Sequence, residues 1–210
     1  MAEEEHRRRL SLRIDPSELA LEIISIVIAI ILATAVGQII ANYQAESRTR
    51  EALNQIRQEV AQDDAALRDV QPLHRRVLSA FTETLHRTAG ERLDFDEFTR
   101  AFGRAAPTGF HPFFGTTTAW DLARGSNVLA NLPYALRATL QTRYAELAQL
   151  QTLNAGVFAH LTSTPTDSRP NFFFTAATLS LNLSDVAFSE DRLRRDDEAA
   201  LHMLAANGVR

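Results

Sequence analysis

The chain has 210 residues, 45% of them hydrophobic, enough for one domain with a core and a short accessory segment but not for two full domains. A formal charge of -4 provides no broad basic surface, which sets nucleic acid aside as a partner. Cysteine is absent and all 22 basic residues are arginine, so disulfides, thiolate metal sites, cysteine nucleophiles and Schiff-base or phosphate-loop lysines are excluded.

After a short polar N-terminal tail, residues 1–18, the stretch 23–41 reads IISIVIAIILATAVGQIIA, 19 residues without a charge. Only Ser25, Thr34 and Gln38 interrupt it. At ~1.5 Å per residue it covers about 28 Å, close to the ~30 Å hydrocarbon core of a bilayer. The pattern predicts a single transmembrane anchor over residues 19–43, with the lipid bilayer as its first partner and Tyr43 at the interface. Ala33-Thr34-Ala35 also has the small-x-small form of a signal-peptide cleavage site. Against cleavage stand a long charged leader and helix-favouring sequence running straight through the cut. Arg7, Arg8, Arg9 and Arg13 precede the span, while Arg48, Arg50 and Arg57 follow it. That excess of one arginine predicts a cytoplasmic N-terminus and a periplasmic domain on a bacterial inner membrane.

Within the span, Ser25, Ala29, Ala33, Gly37 and Ala41 recur every four residues. This ridge of small side chains suits close packing by another transmembrane helix, either a second copy or a subunit of a membrane complex.

No proline or glycine occurs from residue 42 to 71, and Ala, Glu, Gln and Arg dominate, so the span is expected to continue as a helical stalk over residues 44–71, about 40 Å long. Leu53, Ile56, Val60, Leu67 and Val70 follow a 3-4-7-3 spacing with Asp63 at the missing seam position. That stripe predicts either a short coiled coil or docking on the following domain. Pro72 is expected to break or kink the helix, and Leu73, Val77, Leu78, Phe81 and Leu85 then form an amphipathic face that ends at Thr88-Ala89-Gly90.

The remainder, residues 72–210, predicts an all-α helical bundle. A short helix over 94–104 places Phe95, Phe98 and Phe102 on one side, and a loop at 107–115 follows. Another short helix covers 118–124, and Gly125-Ser126-Asn127 makes a turn. Pro133 then opens a long helix carrying Leu136, Leu140, Tyr144, Leu147, Leu150, Leu153, Val157 and Leu161. Residues 162–170 read as a surface connection. Two final helices are expected, 172–188 and 190–207, with Ser189 as the N-cap between them and Gly208 as the stop. Asn182, Ser184 and Asp185 make a second span over 172–188 too costly in lipid.

Several of these features share one pattern. Glu22 before the span, Asn42 after it, the helical run 46–67, Thr118-Ala119-Trp120-Asp121-Leu122 with Gly125-Ser126, and then Leu136, Leu140 and Tyr144 resemble an uncharacterised family of bacterial single-pass membrane proteins. The resemblance covers most of the chain and implies no activity. Tyr43 stands where that family commonly has tryptophan after the span.

No catalytic constellation is visible. Glu83 and His86 make one Glu-x-x-His unit, half of a di-iron motif, but no second unit occurs. Asp94, Asp96 and Glu97 resemble the opening of a calcium loop but lack its glycine and terminal glutamate, and are better read as first-turn charges on a helix. No metal or cofactor is expected. His111, between Phe110 and Pro112, and the lone Trp120 are candidates for an interface or, together with Tyr144, for a ligand pocket. The expected function is that of a membrane-anchored accessory or scaffold subunit without catalysis. A membrane-tethered sensor with a pocket near Trp120, His111 and Tyr144 is the alternative.

Overall fold

The computed structural model describes residues 16–87, 95–163 and 172–209. They are all-helical, in five α-helices: α1 (Pro16–Arg87), α2 (Phe95–Ala105), α3 (Thr118–Gly125), α4 (Tyr134–Ser163) and α5 (Phe172–Ala206), with a 3-10 turn at Asn127–Asn131. Arg7, Arg8, Arg9 and Arg13, the Thr88-Ala89-Gly90 terminator, Asp94 and residues 164–170 of the connecting loop lie outside the described residues. The chain divides into two compact units, Met1–Ser47 and Arg48–Arg210.

In the first unit, α1 holds an 18-residue window of mean hydropathy 2.5, none of it buried by protein. Ile24, Ile26, Val27, Ile28, Ile30, Ile31, Leu32, Val36, Ile39 and Ile40 are all exposed. The polar Thr34 hydroxyl donates to the Ile30 carbonyl at 2.7 Å, which satisfies it within the helix itself. One helix among the described residues is therefore long and apolar enough to cross a membrane.

The second unit is built on α1, α4 and α5. The core stripe of α1 runs through Leu53, Ile56, Val60, Leu67, Val77 and Phe81, so the segment expected as a stalk contributes to the same core as Leu136 and Leu147 of α4 and Leu183 and Leu193 of α5. The stripe thus docks on the domain that follows it. Contacts from Gln71 to Asp191 and from Thr82 to Ser180 set α1 antiparallel to α5. Those from Arg143 to Asp197 and from Ser189 to Glu146 do the same for α4. Helix α2 lays Phe98 and Phe102 against Phe81, at ring-centre distances of 4.3 and 5.7 Å.

Two expected breaks are absent. α1 continues through Pro72, whose ring is exposed, although an internal proline costs a helix about 3 kcal/mol. Tertiary contacts offset this on the adjacent turn: Gln71 and Arg75 both donate to Asp191 of α5, at 2.8 and 2.6 Å, and His74 meets Glu190. Ser189 is not an N-cap. α5 runs unbroken across it, and its buried hydroxyl donates to Glu146 Oε1 of α4 at 2.7 Å.

The long-helix and stop expectations hold. The Pro133 carbonyl accepts from Arg137 N as α4 begins. Gly208, with φ +79°, ends α5. There Val209 N donates to the Leu204 carbonyl and Gly208 N to Ala205, the paired bonds of a Schellman cap, while the Val209 side chain seals the core end.

Candidate functional site

Positions at intervals of three and four define the seam of each long helix, and several of them are polar. On α1 the series 53, 56, 60, 63, 67, 70, 74, 77, 81 includes Asp63 and His74. On α4 the series 136, 140, 143, 147, 150, 154, 157, 161 includes Arg143 and Asn154. On α5 the series 176, 179, 183, 186, 190, 193, 197, 200, 204 includes Glu190 and Asp197. All six polar residues are buried. The sequence reading placed Tyr144 and Leu153 on the α4 stripe, whereas Arg143 and Asn154, each beside one of them, are the fully buried seam residues.

Asp63, Arg143 and Asp197, one from each helix, form a polar layer. Arg143 Nη2 donates to Asp63 Oδ2 at 2.6 Å and its Nε to Asp197 Oδ1 at 2.7 Å. Its guanidinium carbon lies 4.5 Å from the centre of the Tyr144 ring, and that ring stacks on Trp120 at 4.7 Å with 8° between the planes. Burial works against the Arg143 charge, but Asp197 and Asp63 outweigh it and hold the group above its ordinary range. One cation thus serves two buried carboxylates. Asp197, whose Oδ2 has no hydrogen-bond partner, is pushed up to about 6 by burial, with Asp64 and Asp63 adding to the effect and Arg143 opposing it.

Around this layer, side chains of α1 and α4 grip the backbone between α2 and α3. His74 Nε2 donates to the His111 carbonyl at 2.8 Å, Asn154 Nδ2 to Phe113 at 3.2 Å, and Gln151 Nε2 to Gly115 at 2.7 Å. The Thr116 N–H donates to Asp63 and the Ala119 N–H to Glu59 Oε2, at 3.1 and 2.8 Å. Alternate carbonyls at 111, 113 and 115 mark the segment as extended, and its N–H groups turn toward the two α1 carboxylates as α3 begins. Glu59 and Asp63 are four residues apart, hence on one face, and place negative charge at the N-terminus of α3.

Glu59 Oε1 also accepts the Tyr144 hydroxyl at 2.6 Å. Burial first, then this bond, raise the Tyr144 phenol well above its ordinary range, so it remains a donor. Gly115 is required here by space. A Cβ would lie 2.7 Å from Leu147 Cδ1 and 2.8 Å from Asp63 Oδ2.

The residues singled out from the sequence fall in three places. Ser25, Ala29, Ala33, Gly37 and Ala41 lie on the exposed helix of the first unit, with open space around Gly37. A row at four-residue spacing winds about 40° per step around a helix, which fits a crossing partner better than a parallel seam. Trp120 and Tyr144 come together, buried and stacked, and fill the space between them. His111 is exposed on the gripped segment, its ring bonded to Thr108 Oγ1 at 3.1 Å, and it serves the core through its backbone carbonyl. Glu83 and His86 sit on the exposed side of α1, and no three His, Asp or Glu side chains converge as metal ligands among the described residues.

Sequence reasoning missed Glu59, His74, Arg143, Asn154, Glu190 and Asp197. For all but Glu59, which is next to the seam position Val60, the available signal was the unbroken heptad register, in which a polar or charged residue at a seam position has to find a buried partner. Models of known families, characterised proteins and solved structures yield no match to this chain, so the resemblance to bacterial single-pass proteins has no family model behind it.

Proposed function

We propose that the chain is a membrane-anchored interaction protein, an accessory or scaffold subunit of a bacterial inner-membrane complex, with a cytoplasmic N-terminus, a periplasmic domain and no catalysis. The observation that carries this reading is the exposed apolar surface of α1 from Ile24 to Ile40, on a helix that also supplies the core stripe of the folded domain. Burying a large aliphatic side chain is worth about 1.5–3 kcal/mol, so a surface of this kind is stable only in lipid or against another helix. The row from Ser25 to Ala41 supplies the close-approach face. In the domain, buried side chains such as Glu59, Asp63, His74 and Asn154 are bonded to other helices and to the gripped backbone, which supports a positioning role. The stacked pair Trp120 and Tyr144 would have to separate before a ligand could lie between them.

The test replaces Ala33 and Gly37 with leucine in the tagged chain, followed by purification in mild detergent. The double variant is expected to fold and insert but to lose the membrane proteins that accompany the parent. Unchanged co-purification would overturn the assignment of the ridge.

A further inference from the structure

The surface between α1 and α2 carries a different chemistry from the rest of this acidic chain. A groove of about 380 Å³ has Ala80 and Ala101 in its floor and Arg76, Arg87 and Arg104 around it. Glu83 is the one carboxylate among its lining residues. Among the described residues that line it, three cations stand against one anion, in a molecule whose formal charge is -4.

Several arginines elsewhere in the domain are matched to carboxylates, among them Arg68 to Asp64, Arg75 to Asp191, Arg143 to Asp63 and Asp197, and Arg192 to Glu146. Arg76 and Arg104 hold no ion pair among the described residues. Arg87 and Arg104 are in the last turns of their helices, where the helix dipole favours a cation. Arg76 is three turns from the end of α1 and beyond the reach of that effect. The alanine floor keeps the two helices close and leaves depth between the guanidinium groups, whose planar forks match phosphate oxygens.

We infer that this groove binds a small phosphate-bearing anion, held between Arg76 of α1 and Arg104 of α2 with Arg87 closing one end. Its volume exceeds what an inorganic phosphate ion fills and suits a diphosphate or a compact phosphate ester.

The test is calorimetric titration of inorganic pyrophosphate into the full chain in an uncharged detergent at fixed ionic strength. Saturable binding is expected, weakened about tenfold by Arg76→Gln and by Arg104→Gln and unchanged by Arg195→Gln, an exposed arginine on α5. All three are surface substitutions, for which stability changes of only about 0.5 kcal/mol are expected, so the fold is retained for the comparison. Absence of saturable binding overturns the inference. So does an adventitious ion only, seen as equal affinity for sulfate and pyrophosphate or as equal losses in all three variants.

Discussion

Arg143 reaches Asp63 across 80 residues of sequence, its Nη2 2.6 Å from the Asp63 carboxylate, with both side chains in the centre of the bundle. The bond joins α4 to α1, and through Thr116 N the same carboxylate fixes the approach to α3. A buried ion pair contributes less to net stability than to the choice of register, but breaking it on one side is costly.

Removing the cation alone therefore gives the largest expected loss. Arg143→Met leaves Asp63 and Asp197 buried without their partner and should lower unfolding free energy by about 3–5 kcal/mol in urea denaturation. The triple variant Arg143→Met, Asp63→Leu, Asp197→Leu should recover much of that loss, because no uncompensated charge remains. A triple variant less stable than Arg143→Met would show that the layer is needed for more than charge balance.

The Asp197 carboxyl makes stability depend on pH. Its value rises from 3.8 in the unfolded chain to about 6 in the fold, so between those values the folded state holds the extra proton. Stability from this group then falls as pH rises from about 4 to about 6, by about 3 kcal/mol, and is level above that window. Urea midpoints measured from pH 4 to 7 should show this slope in the parent and not in Asp197→Asn. Parallel curves would rule out Asp197 as the source.

Two glycines separate close packing from helix propensity. Gly115→Ala should cost about 1–3 kcal/mol, because its Cβ meets Leu147 and Asp63 at distances that force one of them to move. Gly156 is in the middle of α4 with open space around it, and Gly156→Ala should raise stability by about 1 kcal/mol. Thermal unfolding of the two variants should shift in opposite directions.

Pro72 is exposed within a helix that its neighbours hold together. Pro72→Ala restores a backbone donor and should increase stability by about 1–3 kcal/mol, read from the urea midpoint. A loss of stability instead would mean that the packing of Gln71 and His74 on α5 depends on a proline-bent backbone.

Residues 48–210 contain the whole buried core described above. Expressed without the first 47 residues, this fragment should remain soluble without detergent and unfold cooperatively with a helical circular dichroism spectrum. An aggregated or unstructured product would place part of its stability in the segment removed.

What the sequence determined by itself is whatever depends on neighbours within a turn or two. The apolar run 23–41, the 3-4 spacing of Leu136 to Leu161, and Gly208 as a stop all depend on local periodicity or backbone freedom, and each was legible. Pro72, read as a break or a kink, does not break α1, and the helix end expected at Ser189 is absent, because local propensity is overruled by partners far along the chain, Asp191 for the turn around Pro72 and Glu146 for Ser189. Only the tertiary structure decided that Asp63, apparently a defect in a coiled-coil stripe, is a seam residue, since its partner lies 80 positions away on another helix. A charge in a seam is stable only when the opposite charge arrives from elsewhere, and no pattern local to Asp63 names Arg143.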